Sequence, residues 1–394
     1  MNNLFFGDCH THSNYTDDQV EFGAPIEAAI TLSAALGLSF FCVTDHSYDL
    51  DDHEDNYLIN DPLLPKWMAF QAEVSNRNNI QSACVVVRGE EVTSRNTRSA
   101  NVHLLILGEQ TFVEGAGDSA ERWLKTASKH SVEEIAFRVQ GMAFAAHPRE
   151  HIPILQRLLL GRGSWSLDDL FSPGMHGIQF ANGTMEDGFQ RGKVLWIKAL
   201  LLGLRLIAIA GNDAHGNFNR FRQIGVPFIF VRESRFQILG GMRTGVFLRG
   251  GPSEAKILAA IRRGNAILTD GPAASLVVRL GTSRSFGEMG GGYNANEAIA
   301  MIHILSSSEY GPIESAVIFR GNIGDVDEQV IFESRPRVFQ WKTEIKLRIR
   351  QPMYVRLEVF TSENNASDGQ AHFCITNPIW LSTLTQSLKK KAPR

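Results

Sequence analysis

Apolar and polar positions alternate in blocks along the first two thirds of the chain. Short β-branched or aromatic runs stand at LFFGDCH (4–10), LSFFCVT (38–44), ACVVVRGEEV (83–92), VHLLILG (102–108), MAFAAH (142–147), GIQFAN (177–182), RLIAIAG (205–211) and VPFIFV (226–231). Runs of this length bounded by Gly, Asn or Asp predict strands. Between several of them lie stretches with helical spacing, at 24–36, 62–77, 118–140, 151–160, 185–203 and 253–264. Strand–helix alternation predicts an α/β unit over residues 1–270, a parallel sheet with helices outside and strands enough to close a barrel. After Gly271-Pro272 the pattern changes to short alternating runs such as SLVVRL, SAVIFRG and MYVRLEVFT, with little helical character. That predicts a second, all-β domain over 271–394, sandwich-like. The closing LKKKAPR reads as a polar tail.

Length and composition fit this division. At 394 residues the chain exceeds one small core. Its 39 basic and 42 acidic residues leave a formal charge of -3, which gives no global field for gripping nucleic acid. No stretch is apolar enough for a helical membrane span. The four cysteines, Cys9, Cys42, Cys84 and Cys374, lack CxxC spacing and three fall in apolar runs, so buried thiols are expected rather than a disulfide framework. The N-terminus has no leader-like pattern, and a cytoplasmic location is the default expectation. Nothing in the pattern sets an oligomeric state.

The chemistry-bearing residues follow the apolar runs. In DCHTHSNYTDD, alternation along a strand places Asp8, His10 and His12 on one face. His46 follows a strand directly, with Asp45 beside it. Glu90 and Glu91 end an otherwise apolar run, where a buried carboxylate is costly unless a cation or hydrogen bonds compensate. His103 sits in NVHLLILG, His147 in AAHPRE, and Asp213 and His215 in AGNDAHG. Singly, each also suits a core histidine, a cap or a turn. Together they collect imidazoles and carboxylates at one end of successive strands, the rim where barrel enzymes keep their sites. Such a set exceeds the needs of one ion. Two or three divalent ions are expected, Zn, Mn or Fe, since imidazole and carboxylate suit them and the thiolates of a closed structural zinc site are missing. Clustered ions acidify a bridging water and clamp the oxygens that gain charge, so a metal-bridging hydroxide is the expected nucleophile.

The order of these motifs resembles the polymerase and histidinol phosphatase (PHP) superfamily of metal-dependent phosphoesterases. The matching pieces are His10-x-His12 with Asp17, Thr44-Asp45-His46, Gly89-x-Glu91, His103, His147-Pro148 and Asp213-x-His215. The resemblance implies a distorted (β/α)7 barrel and a trinuclear site. It would have His10, His12, Glu91 and Asp213 on one ion, Asp17, His46 and His147 on a second with Glu91 bridging, and His103 and His215 completing the third. Motif spacing selects Asp17 over Asp18 and Glu91 over Glu90. The stretch AIRRGNAILTDGPAASLVVRLG is similar to the CehA/McbA-type metallohydrolases, which carry a C-terminal β-domain and include hydrolases of a carbamate ester.

The expected substrate is thus a small phosphoester, or an ester or amide on the same ions. A nuclease-type trimming activity and a non-catalytic binding module are the remaining readings, with nucleic acid not favoured as a partner. Arg149 is the first candidate for holding a phosphoryl group, ahead of Arg220 and Arg222, because guanidinium binds phosphate bidentately. Asp45 or His215 is placed to carry the leaving-group proton. Asn182 is read as a turn residue or a substrate contact, and SYDLDDHEDN (47–56) as a solvated acidic loop or a lid.

Overall fold

The computed structural model describes residues 3–16, 23–53, 56–80, 83–115, 127–215, 223–226, 229–232, 237–281, 285–363 and 369–384. The chain forms two compact units. The first comprises Met1–Leu195, Ile209–Thr244 and Leu248–Leu258; the second comprises Trp196–Ala208, Gly245–Phe247 and Ala259–Arg394.

In chain order the first part of the protein contains β1 (Asn3–Thr11), α1 (Ile26–Ala35), β2 (Phe40–Val43), α2 (Ser47–Leu50), β3 (Asp52–His53), β4 (Asn56–Asn60), α3 (Pro65–Asn79), β5 (Val85–Arg95), β6 (Asn101–Leu107), α4 (Val132–Arg138), β7 (Met142–Ala146), α5 (Ile154–Leu159), β8 (Met175–Asn182), α6 (Asp187–Leu201), β9 (Ile207–Gly211), β10 (Gln223–Val226), β11 (Ile229–Arg232), β12 (Arg243–Leu248) and α7 (Glu254–Arg262). Strands of the first unit lie in the order β1-β2-β5-β6-β7-β8-β9. FFCV of β2 and MAFAA of β7 are buried along their whole length, as strands covered on both faces must be. α1 and α3 bury Ile26, Ile30, Trp67, Phe70 and Val74 against Phe41, Val43 and Val86. Pro65 opens α3 at a position where its missing N–H costs nothing. Ser131 and Glu134 close a reciprocal capping box on α4.

The barrel expected from the sequence is not what forms. Among the described residues strands outnumber helices by 23 to seven over both units, and β5 passes to β6 with no helix between them, whereas a (β/α)7 barrel needs a helix after each strand. The sheet is mixed: β1·β2, β2·β5 and β7·β8 are parallel, whereas β5·β6 and β6·β7 are antiparallel. The cause is local. Residues 96–100 turn the chain directly from β5 into β6, with Asn96 Oδ1 accepting from the backbone N–H of Arg98 and Ala100. A tight turn of this kind joins antiparallel neighbours, while a parallel crossover needs a dozen residues or more. The predicted strand at 226–231 is instead an antiparallel pair, β10 and β11.

The second unit is dominated by antiparallel ladders. It contains β13 (Ala266–Thr269), β14 (Ala273–Leu280), β15 (Phe286–Glu288), β16 (Gly292–Asn294), β17 (Glu297–Leu305), β18 (Ile313–Asn322), β19 (Gln329–Ser334), β20 (Gln340–Arg348), β21 (Met353–Thr361), β22 (Phe373–Thr376) and β23 (Ile379–Ser382). One sheet has the order β15-β14-β17-β20. In another ladder β21 pairs with β18, β22 and β23, and β18 pairs with β19. Buried and half-exposed positions alternate along β14 and β17, the signature of strands with one face on a core. The buried Arg356 is satisfied by Glu328 and Glu358, and Glu328 also accepts from Tyr354.

Candidate metal centre

The first unit carries one strand-end site, and its backbone explains why residues distant in sequence meet there. Thr11, at the end of β1, bridges in parallel to Ala214, and His12 N donates to Ala214 O at 2.8 Å. His10 and His12 are thereby laid beside Asp213 and His215. Asp8 secures this junction rather than facing the site. Its carboxylate accepts from His10 N, Asn212 N, Asn212 Nδ2 and Gly240 N. Burial raises its pKa to about 6 against the pull of those donors. His46, just past β2, bridges in parallel to Glu91 of β5. In the β5–β6 ladder Thr93 opposes His103, which places His103 on the Glu91 face, one diagonal step away. His147 follows β7.

Five imidazoles surround the Glu91 carboxylate. Oε1 lies 2.8 Å from His103 Nδ1 and 3.0 Å from His147 Nε2. Oε2 lies 3.2 Å from His46 Nδ1 and 3.5 Å from both His10 Nε2 and His12 Nε2. Asp213 Oδ1 stands 3.1 Å from His12 Nε2 and 3.4 Å from His10 Nε2, and Asp213 Oδ2 accepts from Gln237 Nε2 at 3.0 Å. His215 stacks on His12 with ring centroids 4.1 Å apart. Its Nδ1 donates to Asp213 O at 3.0 Å, which orients the ring toward the neighbouring imidazoles.

Three groups of donor atoms result: His12, His46 and His215; His10, His12, Glu91 and Asp213; and Glu91, His103 and His147. Eight of the nine ligand candidates therefore converge. The ninth, Asp17, lies outside the described residues, as do Asp18, Arg220 and Arg222. The pairing differs from that implied by the resemblance. His46 joins His12 and His215 rather than His147, and His103 and His215 fall in different groups.

The donor set fits divalent cations. Glu91 Oε2 is buried and makes no hydrogen bond among the described residues, although three imidazole nitrogens face it. Burial alone would raise the Glu91 pKa, but the charges of His103 and His10 hold it well below the usual carboxylate range. Burial likewise opposes protonation of His10, yet Glu91 and Asp213 lift its pKa to about 9. Asp213 is lowered well below its ordinary value, burial being overcome chiefly by His10 and His12. A buried knot of paired acid and base is what a cation would replace. Backbone strain marks the same place. His147 and Asp213 hold φ at +26° and +52°, a region that non-glycine residues avoid unless their surroundings impose it.

Other expected roles are distributed differently. Asp45 joins none of the groups; its carboxylate accepts from Ser13 N, Ser13 Oγ and Thr16 Oγ1 and thus holds the loop after β1. Arg149 is half-buried and borders neither cleft at the site. Burial and the charges of Arg98 and Arg191 lower its pKa. Asn182 donates to Glu150 and accepts from Gln179 Nε2, so it is more than a turn residue. Residues 47–52 of the acidic segment are buried instead of solvated. All four cysteines are buried and none forms a disulfide.

Motif reading misses several neighbours of the ligands. Gln179 Oε1 accepts from His147 N at 3.0 Å and lies 3.4 Å from His10 Nδ1. Arg162 Nη2 donates to His103 Nε2 at 3.0 Å. Two clefts open beside the ligands. One, of about 50 Å³, is bordered by His103, His147, Gln156, Arg162 and Trp165; the other, of about 250 Å³, by His147, Asn182, Phe189, Arg191 and Gln237.

No family model and no curated protein matches the chain. Among solved structures, the chain is similar to the crystal structure of a DUF3823 family protein from Bacteroides ovatus, 13% identical over 39% of this chain and 85% of that one, with a TM-score of 0.18. A likeness so slight assigns neither fold nor activity. No helix of the described residues is long and apolar enough to cross a membrane.

Proposed function

We propose that this protein is a metal-dependent hydrolase that cleaves a small phosphoester. The observation that carries the proposal is the Glu91 carboxylate, buried and faced on both oxygens by five imidazoles that four separate chain segments deliver. His10, His12, His46, Glu91, His103, His147, Asp213 and His215 would hold two or three ions of the Zn, Mn or Fe class. Ions held there lower the pKa of water into the neutral range and neutralise charge growing on the substrate's oxygens. The motif resemblance to the PHP phosphoesterases supports the same reaction class without its barrel.

The chain's own groups supply position and exclusion of bulk water. Gln179 fixes the backbone of His147 and the ring of His10. Asp213, oriented by Gln237, and Glu91 set the spacing of the imidazoles around them. The larger cleft gives a small organic group access from the His147 side. Protein stripped by chelator and reloaded with Mn²⁺ is expected to hydrolyse aryl phosphates, while stripped protein is not. Metal-dependent cleavage of aryl esters or carbamates, with none of aryl phosphates, overturns the phosphoester assignment.

A further inference from the structure

Arg162 lies between two glycines in a turn that Asn101 docks against β6. Asn101 N donates to Gly161 O at 2.9 Å, and Asn101 O accepts from Gly163 N at 2.8 Å. The guanidinium thus arrives at the site from its side, where Nη2 donates to His103 Nε2 at 3.0 Å. The other ring nitrogen of His103 points to Glu91 Oε1, 2.8 Å away.

We propose that Arg162, held beside His103 at the wall of the adjacent cleft, is the oxyanion-binding residue of this site. The inference rests on the hydrolase proposal above. The cleft of about 50 Å³ carries polar groups suited to an oxyanion, among them Asn101, Gln156 and Ser164. By the same measure one water occupies ~10–15 Å³, so the space takes a group of a few oxygen atoms but not a whole nucleotide. Arginine's planar fork matches a phosphate or carboxylate edge. The neighbouring cleft of about 250 Å³, which shares His147, Glu150 and His151, receives the remainder of the substrate. The substrate class is therefore a compact anionic ester whose charged end enters the small cleft.

The test compares wild type with Arg162→Gln and Arg162→Lys, metal-free and Mn²⁺-loaded, with inorganic phosphate and acetate as probes. Binding is read by calorimetry and by Trp165 fluorescence, and metal content is counted in the same samples. Arg162→Gln is expected to keep the wild-type metal content and to bind phosphate at least tenfold more weakly when loaded. Arg162→Lys recovers part of the loss, since it restores charge without the fork. A loss confined to acetate assigns the charged end to a carboxylate instead of a phosphate and supports the same role. Loaded Arg162→Gln that binds both anions like wild type overturns the proposal. Wild type that holds no ions overturns the hydrolase proposal and this one with it.

Discussion

Replacing Glu91 by Gln removes one charge from the centre of the site at nearly constant volume. Glu91 belongs to two of the three donor groups. A cation among those donors stands within about 4 Å of the carboxylate. At an effective dielectric constant of about 20 that separation is worth ~4 kcal/mol per unit charge, hence ~8 kcal/mol for a divalent ion. About half of this is offset, because in the metal-free protein the carboxylate already interacts with the imidazoles of His103 and His10. The net loss is ~4 kcal/mol, or ~10³-fold in affinity. Competition against a chelator measures that affinity, elemental analysis counts the ions, and circular dichroism verifies that the variant is folded. Thermal stability gives an independent readout. Saturation of wild type at 100 times Kd adds ~2.7 kcal/mol to the stability of the fold, and Glu91→Gln loses that increment. A folded Glu91→Gln protein that holds as many ions as wild type, with affinity within tenfold, refutes the bridging role.

Two further outcomes follow from neighbouring groups. Gln179→Ala leaves the His147 N–H without its acceptor and the His10 ring without its partner; metal affinity is expected to fall ~10–100-fold, and chelator competition checks it. Because Glu91 and Asp213 raise His10 from 6.5 to about 9, the metal-free site holds a proton at pH 7.5 that an ion must displace. Metal affinity should rise with pH up to about 9, with a proton release that calorimetry detects as a dependence on buffer ionisation enthalpy. The sign for the metal-free fold is opposite: a raised histidine stabilises fully below 6.5 and loses that contribution as pH climbs through about 9. Binding heats independent of buffer contradict both.

The candidate ligands are legible because they sit at or near the ends of apolar runs, where a polar side chain has few structural uses. The sheet is not. Apolar run and amphipathic stretch alternate identically in a parallel barrel and in a mixed sheet, since periodicity carries no strand direction. The short connection at residues 96–100 is the one local sign of an antiparallel turn, and Asn96 supplies its chemistry. Asp8 matched His10 and His12 in periodicity, yet four donors turn it to a structural task. Adjacency to His46 suggests a proton carrier in Asp45, whereas Ser13 and Thr16 engage it. Arg162 and Gln179 had no motif around them. Their roles depend on which strand end lies beside which, and a tertiary relation of that kind leaves no local pattern.

Anomalous diffraction from crystals of Mn²⁺-reloaded protein tests the central claim most directly. Peaks are expected within coordination distance of Glu91 and of the imidazoles of His10, His12, His46, His103 and His147. Ordered density for these side chains with no anomalous peak among them, in crystals saturated with the ion, would contradict it.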